Sequence, residues 1–362
     1  MKILLVTTDA YGCNGGIAQY NRDLVESLAS MPATQLVTVL ARNLHTSLPP
    51  LPDRVRFVPA ATHGTAAFLW ACFQEGLARQ DLVICGHLNL LPVAAALAAR
   101  SACPLVLMVY GIEVCARPAN PLTHWLANRA DAVWSISDYT RRRMASWLSV
   151  PDERYALLPN AIRLEHYGMA EVAPEVAHRY RGNATHVLLT LGRLAASERY
   201  KGIDEILDAL PALLERYPHL RYVVAGDGDD RPRLEQKAHD LGISEHVLFT
   251  GFVREEEKAD LYRLADVFAM PGRGEGFGFV FLEAMACGTP VVASTLDGSY
   301  EAIRNGQLGL AADPTDKHSI VTSLLKALEK KRSIPTGLSY FKYEEFRRRV
   351  ETALNGLVRP SR

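Results

Sequence analysis

Short β-branched runs alternate along this chain with longer stretches whose apolar residues recur three and four positions apart. The first pattern predicts strands and the second predicts helices. Lys2–Thr7 reads as a strand, followed by a Gly-rich turn and a helix from about Ile17 to Ala29. Further strands are predicted at Gln35–Leu40, Val55–Pro59, Leu82–Cys85, Leu105–Val109 and Ala132–Ile136. After Pro159-Asn160 the alternation restarts, with strands at Val187–Leu191, Arg221–Ala225, His246–Thr250, Val267–Met270, Pro290–Ser294 and Leu308–Ala311. Strands alternating with helices imply an α/β protein whose parallel sheets are covered on both faces. Two such series, parted by the polar stretch Arg163–Asn183, imply two doubly wound domains. That stretch is a linker or a short accessory helix, and Tyr340–Leu357 reads as a closing helix carrying Arg347-Arg348-Arg349. Open parallel sheets take ligands beyond the carboxyl ends of their strands. Two sheets face to face are therefore expected to enclose a substrate in a cleft.

Composition narrows the classes. The 362 residues exceed one ordinary core and suit two. Forty basic and forty acidic side chains cancel, which argues against an extended nucleic-acid footprint. Six cysteines without a Cys-x-x-Cys pair read as reduced thiols in or near the core. The opening MKILLVTT runs straight into a strand pattern without the features of a signal peptide. The longest apolar stretch, Leu90–Ala99, is broken by Pro92. The expected location is the cytoplasm, either soluble or peripheral at the inner face of the membrane. Arg141-Arg142-Arg143, with Met144 and Trp147, reads as a solvated helix face or a contact with acidic lipid. Phe68–Phe73 is apolar enough to suggest a membrane contact, but buried core is the favoured reading.

The densest chemistry lies between Pro271 and Pro290. A Gly-rich loop follows a strand there and precedes an apolar helix starting near Gly278. Free amides at such a helix start favour a phosphate, and the bare backbone at Gly276 and Gly278 lets an anion approach. Glu275 lies on the loop, and Glu283 lies inside the helix. A carboxylate among apolar residues needs hydrogen-bond donors. A ribose diol would supply them, and so would a neighbouring backbone or an arginine; spacing leaves both readings open. Arg193 follows the first strand of the second series, and Lys201 precedes its first helix. Fixed cations so placed can stabilise a departing diphosphate.

These motifs resemble the retaining glycosyltransferases of family 4 (group 1 type), which have the GT-B fold, and the likeness spans nearly the whole chain. It is carried by Glu275-x7-Glu283 with Gly-Phe-Gly between, Leu191-Gly-Arg193-Leu…Lys201-Gly202, and Asn14-Gly15-Gly16. Ala225-Gly226-Asp-Gly228 and Phe249-Thr-Gly-Phe-Val253 add to it. The resemblance implies two Rossmann-like domains, residues 1–163 binding acceptor and 164–340 binding the nucleotide-sugar donor. A C-terminal helix over about 341–362 can fold back onto the first domain.

By the same resemblance Glu275 contacts the donor sugar, while Glu283 holds the ribose. Gly276, Phe277, Gly278, Phe279 and Val280 border the sugar and diphosphate, and Arg193 and Lys201 bind the diphosphate as it leaves. Gly15 and Gly16 face the donor phosphates, and Gly226 and Val253 lie near the base. Many family members have a histidine where this chain has Tyr110, which cannot serve as a cation near neutral pH. Tyr110, His87 and Glu113 are candidate acceptor or sugar contacts.

The implied reaction moves a hexose from a UDP- or GDP-sugar to a glycan or lipid-linked acceptor in polysaccharide or glycoconjugate assembly, without cofactor or metal. Asp227-Gly-Asp229 spells an Asp-x-Asp metal motif but suits a turn, and no histidine spacing indicates a metal. A non-catalytic two-lobed nucleotide- or sugar-binding protein is the alternative. An NAD-dependent dehydrogenase is disfavoured, because Gly-x-Gly-x-x-Gly does not follow the first strand.

Overall fold

The structure is a computed structural model that describes residues 1–358; the expected helix residues 359–362 lie outside the described residues. The chain divides into two compact units, Met1–Ala161 joined by the segment from Tyr343, and Ile162–Lys342.

In the first unit the elements are β1 (Lys2–Thr7), α1 (Gly16–Ala29), β2 (Leu36–Ala41), β3 (Val55–Phe57), α2 (Thr65–Glu75), β4 (Leu82–Cys85) and α3 (Leu91–Ser101). There follow β5 (Leu105–Val109), α4 (Pro121–Ala127), β6 (Ala132–Ser135), α5 (Asp138–Met144) and β7 (Tyr155–Leu157). The strands form one parallel sheet in the order β3-β2-β1-β4-β5-β6-β7. Its central strands are buried throughout apart from Lys2 at the start of β1, as a sheet covered on both faces requires. Leu4, Val6, Val83, Leu107 and Val133 face a core shared with α2, α3, α4 and α5.

The second unit holds α6 (Pro174–Tyr180), β8 (His186–Leu191), α7 (Ile203–Arg216), β9 (Leu220–Ala225), α8 (Arg231–Asp240), β10 (Val247–Gly251) and α9 (Glu255–Leu264). It continues with β11 (Val267–Ala269), α10 (Phe279–Ala286), β12 (Val291–Ser294), α11 (Ser299–Ala302), β13 (Leu310–Ala312) and α12 (Lys317–Leu328). Its sheet runs β10-β9-β8-β11-β12-β13, again parallel. Helix α7 is strongly amphipathic; Ile203, Ile206, Leu207, Leu210 and Leu213 are its buried stripe.

Strand ends fall within a residue or two of the sequence expectation, with physical reasons where they differ. Val55–Phe57 stops early because Pro59 opens a 3₁₀ turn. Edge strand β7 has three residues, too few to show a period. The polar stretch Arg163–Asn183 belongs to the second unit and contains the short helix α6, fixed to α9 where Tyr180 and Arg179 donate to Glu257. All six cysteines are free thiols.

One expectation is corrected. Phe68–Phe73 is not uniformly core: Phe68, Ala71 and Cys72 are buried, whereas Leu69, Trp70 and Phe73 are exposed. Helical spacing turns 68, 71 and 72 towards the sheet and leaves the others outside. Among the described residues no helix is long and apolar enough to cross a membrane.

The closing helix α13 (Tyr343–Val358) packs on α1. Phe346 is fully buried with its ring 5.4 Å from that of Tyr20, whose hydroxyl donates to the Leu158 carbonyl at 3.0 Å. Truncating Phe346 to alanine is expected to cost about 3–5 kcal/mol, read as a lowered urea midpoint for the first unit. A loss below about 1 kcal/mol would show that α13 is not integral to that core.

Candidate active site

In the second sheet β8 and β11 lie side by side. β8 continues through α7 to β9 on one flank, and β11 through α10 to β12 on the other. Such a reversal leaves a crevice at the carboxyl ends of the two strands, where doubly wound sheets bind ligands. The segments leaving these strands are Gly192–Gly202 and Met270–Gly278.

The two segments are held together through the main chain. The Arg273 amide donates to the Tyr200 carbonyl at 2.7 Å. Gly202 has φ +88°, and a Cβ there would stand 2.5 Å from the Pro271 carbonyl oxygen, so only glycine fits. Lys201 folds back over Gly192, and its Nζ pairs with Glu198 Oε2 at 2.5 Å. Arg193, exposed, pairs with Glu198 Oε1. Glu198 therefore stands between the two cations that the sequence assigned to a diphosphate.

The loop bearing Glu275 is pinned from beneath by Asp297. One oxygen of Asp297 accepts the amides of Gly274 (3.1 Å) and Glu275 (3.0 Å). The other accepts the Ser299 amide and hydroxyl at 3.0 and 2.6 Å. Gly298 approaches so closely that a Cβ would sit 2.0 Å from the Gly276 carbonyl oxygen. Burial raises the pKa of Asp297 above the ordinary range, against the pull of those donors. Burial also raises Glu275; Lys201 acts in the opposite direction, and Asp297 adds to the rise.

Helix α10 starts at Phe279 after Gly278 (φ +91°), which has no side chain to cap it. Gly276, Phe277 and Gly278 are buried, with the Phe277 ring against Phe341, and Phe279 and Val280 are half-buried on the first turn. Glu283, one turn further, is buried, with protein partners on both oxygens. Tyr262 donates to one of its oxygens at 2.6 Å; Tyr167 (2.9 Å) and Lys258 Nζ (2.8 Å) meet the other. Burial opposes the charge on Lys258, but Glu283 and Glu255 outweigh it and its pKa is raised. The protein thus supplies the donors that a carboxylate in this helix requires, from tyrosines and a lysine rather than a backbone or an arginine.

Gly226 sits against the same edge. Its amide donates to the Gly251 carbonyl at 3.0 Å, and a Cβ would stand 1.9 Å from the Gly192 carbonyl oxygen. Val253 is half-buried just beyond β10. Asp227 and Asp229 are turn residues: Asp227 accepts the Gly228 amide and Asp229 the Ala196 amide.

In the first unit the equivalent reversal falls between β1 and β4. Gly15 and Gly16 are exposed at the start of α1. Asn21 and Arg22 on α1 hold the preceding loop by donating to the carbonyls of Asp9, Ala10 and Cys13. His87 caps the turn after β4, its Nδ1 accepting the Asn89 amide at 3.1 Å. Tyr110 is buried, its hydroxyl donating to Asn21 Oδ1 at 2.6 Å, and Glu113 accepts the Tyr110 amide. Each of these three has a protein partner. Asp9, Cys13 and His45 bring their ligand-type atoms within 4.8 Å of one another, a grouping that their sequence separation gave no reason to expect.

Sequence reasoning missed Asp297, Glu198, Tyr262 and Lys258. Glu198 carried a signal, three residues before Lys201. Asp297-Gly-Ser299 is an Asx-type turn directly after a strand, a second signal that was available. Tyr262 and Lys258 meet Glu283 only through the fold.

Two sequence profiles match the chain: glycosyl transferases group 1 over residues 182–344, and the glycosyl transferase 4-like domain over residues 15–161. The chain belongs to the group 1, family 4 glycosyltransferases. A GDP-mannose-dependent α-(1-6)-phosphatidylinositol monomannoside mannosyltransferase of Mycolicibacterium smegmatis is 36% identical over 207 residues, 55% of this chain and 53% of that enzyme. Mannosylfructose-phosphate synthase of Agrobacterium fabrum is 36% identical over 154 residues, 40% of this chain and 33% of that protein. The chain spans about half the length of the first of these curated relatives. Anabaena HepE, solved in complex with UDP, superposes with a TM-score of 0.72 at 22% identity, covering 99% of this chain and 100% of that one. Sucrose-phosphate synthase of Thermosynechococcus elongatus gives 0.73 at 21%, covering 98% and 96%. These structural likenesses establish the GT-B fold of this family member.

Glu198 occupies the place of an anion between Arg193 and Lys201. Glu198→Gln is expected to tighten binding of a nucleoside diphosphate by about three- to tenfold, by calorimetry at fixed salt. Weaker binding would mean that Glu198 orients the two cations rather than competing for them.

Proposed function

We propose that this protein is a retaining, metal-independent glycosyltransferase that moves a hexose from a UDP- or GDP-sugar to a glycan or lipid-linked acceptor in glycoconjugate assembly. The observation that carries the reading is the meeting of Arg193, Lys201 and Glu275 at the switch-point edge of the second sheet. The named activities of the relatives support it: one uses GDP-mannose, and HepE was solved with UDP.

In this reaction the bond between the anomeric carbon and the diphosphate oxygen breaks as the acceptor oxygen bonds to the same face. The acceptor proton passes to the departing phosphate. Arg193 and Lys201 exchange Glu198 for the leaving group and stabilise its growing charge. Glu275, ionised, orients the sugar and opposes positive charge on the anomeric carbon. The Gly276–Val280 backbone lies along the sugar and phosphates, and Gly226 and Val253 border the base. Glu283, steadied by Tyr262, Tyr167 and Lys258, turns an oxygen to the ribose. In the first unit, His87, Tyr110 and Glu113 are the candidate acceptor contacts. The diphosphate charge is met by side-chain cations, so no metal step is needed.

The first test is a thermal-shift panel of UDP, GDP and ADP and their sugar conjugates, with and without chelator. A ligand that binds the folded state at a hundred times its Kd adds about 2.7 kcal/mol of stability. One base should stabilise the wild type irrespective of chelator, with affinity reduced about tenfold or more in Arg193→Ala. Arg193 is preferred to Glu283 as the probe because it is exposed, whereas removing Glu283 strands a half-buried lysine. Silence from every nucleotide overturns the reading. Proton NMR of the product should show the donor's anomeric configuration retained.

A pH profile checks Glu275. Its pKa is raised, so the ionised form needed here is lost on acidification at a higher pH than for an ordinary glutamate. Glu198 contributes to that rise. The acid limb of kcat should therefore move to lower pH in Glu198→Gln; an unmoved limb would place the titration elsewhere.

A further inference from the structure

The first unit gathers three side chains of metal-ligand type for which the reaction has no use. Strands β1 and β2 are parallel neighbours, so the loops that leave them emerge at the same edge of the sheet. The first loop carries Asp9 and Cys13, and the second carries His45. A carboxylate oxygen, a sulfur and an imidazole nitrogen there lie within 4.8 Å of one another. Among the described residues this is the one place where three such groups converge. A tetrahedral zinc ion spaces its ligands about 3.5 Å apart, at bond lengths of about 2.0–2.3 Å. Closing the set therefore takes little more than an ångström of side-chain movement.

The backbone beneath these groups is fixed without them. The Asn43 amide donates to the Thr8 carbonyl at 3.0 Å, and the His45 and Thr46 amides donate to the Gly12 carbonyl at 2.9 and 3.0 Å. Gly12 turns there at φ +70°, a conformation that glycine adopts without strain. The crossing of the two loops is thus held by main-chain bonds, which need neither a thiol nor an imidazole. Asn43 also orients two of the three groups. Its side chain donates to Asp9 Oδ1 at 3.0 Å, and its carbonyl accepts the Cys13 thiol at 3.3 Å. Metal sites steady their ligands through outer partners of this kind. Cys13 is buried, Asp9 half-buried and His45 exposed, so an ion enters past the imidazole. Burial and the Asp9 carboxylate raise the Cys13 thiol above its ordinary range, which disfavours a free reactive thiolate.

We propose that Asp9, Cys13 and His45 bind a divalent ion of the zinc type, with a fourth position left to water. Sulfur and imidazole ligands select such ions over magnesium or calcium, which prefer oxygen alone. On binding, the Cys13 S–H bond breaks, its proton passes to solvent, and the sulfur electron pair forms the bond to the metal. The sulfur exchanges the Asn43 carbonyl for the ion, while the Asn43 side chain still holds Asp9. The ion then clamps the loop ahead of α1 to the loop after β2 and takes no part in sugar transfer. Removing it lowers stability with and without nucleotide alike, so donor binding keeps its indifference to chelator.

The test is titration of the full, reduced, metal-stripped chain with Zn²⁺ against a chromophoric chelator, and with Co²⁺ as a spectroscopic probe. No nucleotide is present, so the outcome is separable from that of the transferase reading. Wild type should take up equimolar Zn²⁺ in the presence of excess Mg²⁺, and its melting temperature should rise as it does so. Co²⁺ should give a thiolate-to-metal charge-transfer band and the intense visible bands of tetrahedral coordination. Cys13→Ser should lose the charge-transfer band, whereas Cys103→Ser should keep it. His45→Ala removes an exposed side chain and should leave the metal-free melting temperature unchanged. It should weaken Zn²⁺ binding by at least about tenfold. The proposal is overturned if wild type takes up no equimolar Zn²⁺, or if Mg²⁺ displaces it. It is also overturned if the band survives in Cys13→Ser, or if His45→Ala binds Zn²⁺ as tightly as wild type.

Discussion

A strand cannot reach a parallel neighbour through a tight turn; it must cross over a face of the sheet, usually as a helix. That constraint governs both units. It forces helices onto both faces, makes the strands apolar on both sides, and sends every connection that leaves a strand's carboxyl end past the same edge. The chain reverses its winding at β1/β4 and again at β8/β11, and there the departing connections diverge. Gly15 and His87 follow the first pair of strands; Arg193 and Glu275 follow the second. The candidate residues gather where they do because the backbone leaves room nowhere else along that edge.

Within the second unit a buried carboxylate without an ion pair among the described residues holds the Glu275 loop in place. Asp297 balances its charge with three amides and a hydroxyl, two of the amides from the loop that presents Glu275. Dispersing a charge over neutral donors keeps arginine and lysine out of the loop's foundation. The cations of the site remain above it, where an anionic ligand can reach them.

The fold was legible because its signal is additive: a dozen apolar runs, each weak alone, agree on one architecture. Arg193, Lys201 and Glu275 were legible because each stands beside a strand end or helix start that the pattern had already located. Tyr110 shows the limit. Its position after β5 was clear, yet whether a tyrosine faces solvent or a core depends on what crosses beneath it, here Asn21 of α1. Lys258 and Glu283 are a further case, since a pair 25 positions apart on two helices has no local pattern to betray it. The same holds for α2: an apolar run announces a helix, but its breadth beyond the inward stripe becomes visible only once the sheet has claimed one side.

The counter-ion position of Glu198 bears on discrimination among anions in the cell. An unoccupied pair of cations would collect whatever phosphate or sulfate is most abundant. With a carboxylate already between Arg193 and Lys201, an entering anion must be worth more to the site than the group it evicts. Orthophosphate exchanges one pair of contacts for another and gains little. On the proposed function, a diphosphate anchored by its sugar and base would bring additional contacts with it, and the tenant carboxylate would act as a threshold that only the complete donor clears.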